Sequence, residues 1–257
     1  MATLPTKIAV AVPAHDQVDA LFAYDLAQMM SLTAGVLPEG VNLGMYFVTG
    51  TYIHKARTEL LEAVIEDGAS HVLWLDSDMR FPRDTLIRLL QHQQPVVGVN
   101  YSKRRIPAEY VAIKHVPDPD DPEDEGIICH TTAESTGLEE VDALGFGAVL
   151  MELDQLRGAL PDPKIEPWFW YEALPNGMQM GEDVYFCTRM LRERLGMRIF
   201  VDHDLSWQCA HIGRFEFKCA HAETEESELQ DLRRRIIEGQ DEDIVHVEDQ
   251  QVEVVSG

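Results

Sequence analysis

Long apolar runs are missing from this 257-residue chain, and none approaches the roughly eighteen residues of a membrane span. The N-terminus, Met1 to Lys7, leads straight into an apolar segment without the pattern of a secretory leader, so a cytoplasmic protein is expected. Cysteine is scarce. Cys129, Cys187, Cys209 and Cys219 stand scattered with no Cys-x-x-Cys, which argues against a zinc ribbon or redox pair and for free thiols in a reducing compartment. Bases are few: 21 Lys and Arg face 45 Asp and Glu, a formal net charge of −24. That balance argues against a broad phosphate-binding surface, although Lys103-Arg104-Arg105 forms a local basic patch. Glycine-rich phosphate loops are absent too. The first apolar segment runs into Val12-Pro13-Ala14-His15-Asp16 instead of Gly-x-Gly-x-x-Gly, and no Gly-x-x-x-x-Gly-Lys-Ser/Thr occurs.

What is present is ample apolar content, 45% of residues, enough for one large folded domain. The acids are unevenly spread. Residues 117–126 carry six acids and no base, and their prolines mark a solvated loop. Residues 221–257 carry twelve acids against Arg233, Arg234 and Arg235, which reads as a charged helix from Glu223 to Glu238 and then a tail. The expected organisation is a catalytic domain over residues 1–220 and an acidic appendage over 221–257.

Along the body, strands and helices alternate. Lys7 to Val12, Asn42 to Thr49, Val72 to Leu75 and Pro95 to Val99 read as strands. Val18 to Leu32 and His54 to Glu66 read as helices by apolar spacing, the second ended by Asp67-Gly68, and Asp84 is expected to cap a short helix through Leu90. This pace predicts βαβ units and an α/β fold with a mostly parallel central sheet flanked by helices.

The most informative stretch is His71-Val72-Leu73-Trp74-Leu75-Asp76-Ser77-Asp78-Met79, an apolar strand ending in two carboxylates one residue apart. A strand covered on both faces has no interior use for acids, but its carboxyl end opens into the crevice where α/β sheets place ligands. Two carboxylates there suit a hard divalent cation bound through few protein ligands plus substrate phosphates; a polar turn is the plain alternative. Downstream, Leu144-Gly145-Phe146-Gly147 is a Gly-rich turn entering a strand, where small residues permit close backbone approach to a ligand. Pro167-Trp168-Phe169-Trp170-Tyr171 is an aromatic cluster. Gly181-Glu182-Asp183 opens a helix to Leu195, and acids at a helix start also suit its dipole. After a strand at Arg198 to Val201 come Asp202-His203-Asp204 and then His211.

The order of strand-Pro13, Arg57, Asp76-Ser77-Asp78, Gly145-Phe146-Gly147, Gly181-Glu182-Asp183 and a late His211 resembles the GT-A fold glycosyltransferases, in particular the compact family-2-like members of bacteria and phages. The resemblance covers residues 7 to about 213. It implies a single Rossmann-like GT-A domain, Mn²⁺ or Mg²⁺, a nucleoside-diphosphate-sugar donor that is UDP-linked, and an acceptor hydroxyl. It further implies metal ligation by Asp76, Asp78 and His211, with His203 the competing histidine, and a general-base role for Asp183. Glu182 then holds an acceptor or donor-sugar hydroxyl. Donor contacts fall to Pro13, His15, Asp16, Arg57, Asp76, Lys103, Gly147 and Trp170. Plainer readings stand beside several of these: His15 as a solvated loop residue, Arg57 pairing with Glu59 or Glu62, Trp168 and Trp170 as lid or core.

The acceptor stays open among glycan, protein, small molecule and a hydroxymethylated DNA base of a phage, the last disfavoured by net acidity; a phage-encoded chain would act in host cytoplasm. Two other classes compete. A metal-dependent phosphohydrolase needs a second metal about 3.5–4 Å from the first, for which Asp202-His203-Asp204 is available. A non-catalytic sugar-nucleotide or glycan-binding module is the other.

Overall fold

The computed structural model describes residues 5–118, 121, 123–174, 179–213, 216–222, 228, 230, 231 and 234. Most of the helix expected over Glu223 to Glu238, and all of the tail, lie outside the described residues.

Seven strands form the central sheet in the order β2-β1-β3-β9-β5-β12-β8. They are β1 (Lys7–Pro13), β2 (Asn42–Val48), β3 (His71–Leu75), β5 (Val96–Gly98), β8 (Leu138–Val141), β9 (Ala148–Glu152) and β12 (Ile199–Asp202). β1 pairs in parallel with β2 and β3, as βαβ crossovers require, and β12 pairs in parallel with β5. The fourth expected strand does not lie beside the third. β9 inserts between β3 and β5, antiparallel to both, and β8 closes the far edge antiparallel to β12. Five strands therefore run one way and two the other. The Gly-rich turn before β9 is what reverses the chain into the centre of the sheet.

Side-chain alternation divides β1 between two cores. Ile8, Val10 and Val12 pack with Phe22, Leu26 and Met29 of α1 (Ala20–Val36) and with Leu86 and Leu89 of α3 (Thr85–Gln91). Ala9 and Ala11 face Leu60, Leu61 and Val64 of α2 (Ile53–Glu66) on the other side. Both faces of the sheet are thus covered, which is why β3 is apolar from Val72 to Leu75 and buried at every position. Asp19 caps α1 by accepting from Leu21 N–H at 2.8 Å. Asp84 stands before α3, as expected, but its side chain makes no capping bond. Gly68, at φ +75°, ends α2 in a conformation that a side chain would resist.

Smaller elements complete the order. β4 (Met79–Arg80) follows Asp78. β6 (Ile113–His115) and β7 (Ile127–Ile128) form one hairpin, and β10 (Glu172–Ala173) and β11 (Gln179–Met180) another. α4 (Glu182–Tyr185) does not continue as the α-helix expected to Leu195. It passes into a π-helix, Phe186–Arg194, that buries Phe186, Cys187, Met190 and Leu191. α5 (His203–Ser206), β13 (Ala210–Ile212), β14 (Glu216–Lys218) and α6 (Cys219–Ala222) end the described body. α6 crosses position 220, where the appendage was expected to begin, and its Cys219 is buried.

The acidic run at 117–126, described except for residues 119, 120 and 122, is more than a solvated loop. Asp124 accepts from the N–H groups of Asp118 and Gly126 and pairs with His115 at 2.7 Å. Those bonds hold its carboxyl down at about 2. All four cysteines are buried, and no helix among the described residues is long and apolar enough to cross a membrane.

Candidate active site

The carboxyl ends of β1 and β3 open on one side of the sheet, and the expected site residues fall into three groups around that crevice. At the end of β3, Asp76 N–H donates to Gly147 O at 3.1 Å, and Met79 N–H turns back to Asp76 O at 3.2 Å. This turn projects Asp76 and Asp78 from the buried strand.

The first group surrounds Asp78. β4 pairs antiparallel with β13, placing His211 opposite Met79, and Ile212 N–H donates to Asp78 O at 2.6 Å. His211 Nε2 therefore lies 3.3 Å from Asp78 Oδ1, while its Nδ1 donates to Ser102 O at 3.2 Å. With Nδ1 committed as the donor, a cation, whether proton or metal, belongs between Nε2 and the carboxylate. A ring nitrogen oriented by a backbone carbonyl is also the usual outer support of a metal-binding histidine. Asp78 and His211 fit a divalent ion on that ground, whereas Asp76, held by Arg57, does not complete a set of three ligand atoms within 4.8 Å of one another. Arg104 Nη1 reaches Asp78 Oδ2 at 2.8 Å from a half-exposed position. Burial works against ionisation of Asp78, but His211 and Arg104 together hold its carboxyl below the ordinary range.

The second group surrounds Arg57, which is 3% exposed. Its Nη2 donates to Asp76 Oδ1 and Oδ2 at 3.0 and 3.3 Å, and its Nη1 lies 2.9 Å from Glu182 Oε1. The Nη1 contact is an ion pair without hydrogen-bond alignment, and Nε has no partner. The guanidinium sits 5.1 Å over the Phe146 ring. The structure thus corrects both sequence readings of Arg57: it pairs with neither Glu59 nor Glu62, and it is enclosed by protein acids instead of open to a diphosphate. Burial nevertheless leaves the Asp76 carboxyl raised, Arg57 opposing and Asp78 and Glu182 adding to the shift.

The third group is Asp183 and its surroundings. Its Oδ1 accepts from Val184 N–H at 2.8 Å. Loss of water pushes its carboxyl up to about 6, with the neighbouring Glu182 charge adding and Arg57 opposing. Asp183 and Lys103 line a cavity of about 340 Å³. Burial and the nearby Arg105 lower the Lys103 ammonium, which reaches Glu109 at 3.4 Å. The Tyr171 hydroxyl is raised to about 12, by burial first and then by Glu182.

Several expected contacts take other forms. Pro13 is buried inside β1. His15 and Asp16 are 84% and 71% exposed and pair with each other at 2.8 Å, just beyond the strand. Gly147 has no room for a side chain because a Cβ would lie 2.6–2.7 Å from the Tyr101 ring, so its smallness serves core packing and not ligand approach. Trp168 is core, its Nε1 donating to Pro161 O at 2.7 Å, whereas Trp170 is 48% exposed and edge-on to His54 at 5.5 Å. Tyr101, Ser102, Phe146 and Tyr171 support the site without any clear sequence signal of that role. Tyr101 accepts from Gly147 N–H and packs edge-on against His211.

His203 does not join Asp78. It meets Thr131 Oγ1 at 2.9 Å and Glu139 Oε2 at 3.1 Å at the far edge of the sheet. Its flanking acids diverge: Asp202 contacts His92 and caps Leu205 N–H, while Asp204 accepts from Gly137 N–H. Among the described residues, Cys129, Glu139 and His203 form the one cluster of three ligand atoms mutually within 4.8 Å. Burial pushes the Cys129 thiol up to about 12, and Lys114 lies 2.5 Å from Glu139, so the cluster's groups already have protein partners.

No family model and no curated protein matches the chain. Solved structures do. A197 from STIV aligns with TM-score 0.50 and 15% identity over 80% of this chain and 86% of its own. The chain has the GT-A fold. GalNAc-T7 with UDP, GalNAc and Mn²⁺ aligns at TM-score 0.47 and 9% identity, over 91% of this chain and 48% of that one. TarS 1–349 of S. aureus aligns at 0.39 and 15%, over 77% and 58%.

Proposed function

We propose that this protein is a metal-dependent glycosyltransferase that moves a sugar from a UDP-linked nucleotide-sugar donor to an acceptor hydroxyl. One observation carries the reading: on a GT-A sheet, a distant histidine is seated against the second carboxylate of Asp76-Ser77-Asp78, with Asp183 in the field of Asp76.

Asp78 and His211, with Asp76 alongside, would hold Mn²⁺ or Mg²⁺, whose charge offsets what develops on the departing diphosphate. Arg57 fixes Asp76 and Glu182 relative to each other and acts as a positioning residue. Asp183 takes the proton from the acceptor hydroxyl, and its raised carboxyl makes it a stronger base than an ordinary aspartate. Glu182 is aimed by Arg57 and borders Tyr171, placing it to hold a sugar hydroxyl. His15, Asp16 and Trp170 remain open to solvent at the crevice and are assigned to the donor's base and ribose; Lys103 is assigned to the acceptor side. Residues 1–220 are taken as the catalytic domain of a cytoplasmic protein, with 221–257 outside the chemistry.

The test is incubation with Mn²⁺ and a panel of nucleotide sugars, beginning with UDP-GalNAc. Slow release of nucleoside diphosphate with free sugar is expected. Release of inorganic phosphate would instead identify a phosphohydrolase, and donor binding without turnover would identify a binding module. The divergence of Asp202, His203 and Asp204 counts against the phosphohydrolase, since no second ligand set lies near Asp78 among the described residues.

A further inference from the structure

The cavity beside Asp183 has a composition that bears on the acceptor. Its walls are Val111 and Ile113, Ile127 and Ile128 of β7, and Leu174 and Met180 of the β10–β11 hairpin. At about 340 Å³ it lies at the small end of the roughly 300–1,000 Å³ range of small-molecule sites. Ile127 and Ile128 are 54% and 44% exposed, so the hairpin leaves two large apolar side chains in water facing this space. Covering them is favourable for any apolar guest.

The polar side chains along it are Lys103, Tyr110, His115, Glu125, Gln179 and Asp183, and the Tyr110 hydroxyl is already engaged, donating to Thr131 O at 2.7 Å. Both bases are already matched with acids: Lys103 with Glu109, His115 with Asp124 and Asp142. Glu125 and Asp183 therefore leave the cavity inhospitable to an anionic guest. A saccharide fares poorly for another reason, because a mostly apolar wall strips water from its many hydroxyls and offers few hydrogen bonds in return.

Resting on the transferase reading, we infer that this cavity is the acceptor site and that the acceptor is an uncharged, ring-bodied alcohol or phenol of small size. Its hydroxyl oxygen, directed at Asp183, bonds to the anomeric carbon. The bond from that carbon to the donor's diphosphate oxygen breaks, its electron pair leaves with the nucleoside diphosphate, and the hydroxyl proton passes to the Asp183 carboxylate.

Two arms test this on the full chain. In the first, nucleoside diphosphate release with Mn²⁺ and the donor panel is measured with 2-naphthol, 4-methoxyphenol, 4-hydroxybenzoate or cellobiose added. The two uncharged phenols should accelerate release about tenfold or more and yield glycosides, while the carboxylate and the disaccharide should not. Acceleration by cellobiose or 4-hydroxybenzoate instead overturns the proposal. In the second arm, binding of 2-naphthol is followed by its fluorescence without any donor. Ile127→Asp, on an exposed hairpin, should weaken binding about tenfold, and Met45→Asp on β2 should leave it unchanged. Melting curves confirm that both variants fold. Probe binding indifferent to Ile127→Asp overturns the cavity assignment. Cavity binding with no diphosphate release from any donor overturns the transferase reading, and the acceptor role with it, while the ligand class stands.

Discussion

Asp183 and Arg57 sit beside each other's field yet predict opposite kinds of damage when changed. Asp183→Asn removes a base and little else, so turnover should fall about 10²–10⁴-fold while donor affinity stays near wild type, as single-turnover and donor-binding measurements can separate. Because burial lifts this carboxyl to about 6, activity in the wild type should fall as pH drops through that value, or through a lower one once a cation is bound nearby. A pH–rate profile whose acid limb is unchanged in a residual-activity Asp183→Asn protein would remove the assignment. Arg57→Met should do the reverse. It leaves Asp76 and Glu182 facing each other in a poorly hydrated site, a loss of about 3–5 kcal/mol seen in chemical denaturation. At Asp78 and His211 the expected signature is different again: Asp78→Asn abolishes transfer, and His211→Ala raises the Mn²⁺ needed for half-maximal rate, whereas His203→Ala leaves that requirement alone.

At the scale of elements, β3 carries both the core and the acids. Its first residue, His71, is buried, and burial lowers its pKa below 6.5, with Glu152 and Asp154 opposing. The unfolded chain therefore takes up a proton at His71 that the folded chain resists. The stability this residue supports is present above about pH 6.5 and is lost as pH falls below it, towards the folded value. Urea melts of His71→Phe and wild type between pH 7.5 and 5.5 should show the wild type losing stability faster. Periodicity made β1, α1, β2, α2 and β3 legible, because each is one face or one run of apolar residues. It did not reveal β9 between β3 and β5, since strand order in a sheet is a long-range fact and Ala148 to Glu152 reads the same in either direction. The π-helix after Tyr185 was hidden too, its apolar spacing serving either helical period.

For the whole molecule, the two cores on either face of the sheet set the stability. Leu73 is fully buried between β1 and β9, and Leu73→Ala should cost about 2–5 kcal/mol, lowering the melting temperature by roughly 2–4 °C per kcal/mol. The acids at 76, 78, 182 and 183 and the histidine at 211 were singled out as candidates by their type and order and by the resemblance, and the structure gathers them around one crevice. What no order revealed was their wiring: Arg57 bridging Asp76 to Glu182, Ser102 aiming His211, and Tyr101 filling the space Gly147 leaves. Those are meetings of side chains from separate elements, decided only when the sheet is assembled.

The small sheet that joins β4 to β13 and β14 has a consequence for synthesis. Arg80 grips Glu216 across 136 residues of chain, one pairing away from where His211 meets Asp78. A nascent polypeptide leaving the ribosome exposes Asp76 and Asp78 long before His211 exists. Until β13 emerges and docks, the nascent chain can build its first βαβ layers but leaves Asp78 without the imidazole that meets it in the folded protein. The corner around Asp78 is therefore closed late in synthesis, by a strand made long after the sheet's first parallel pairs.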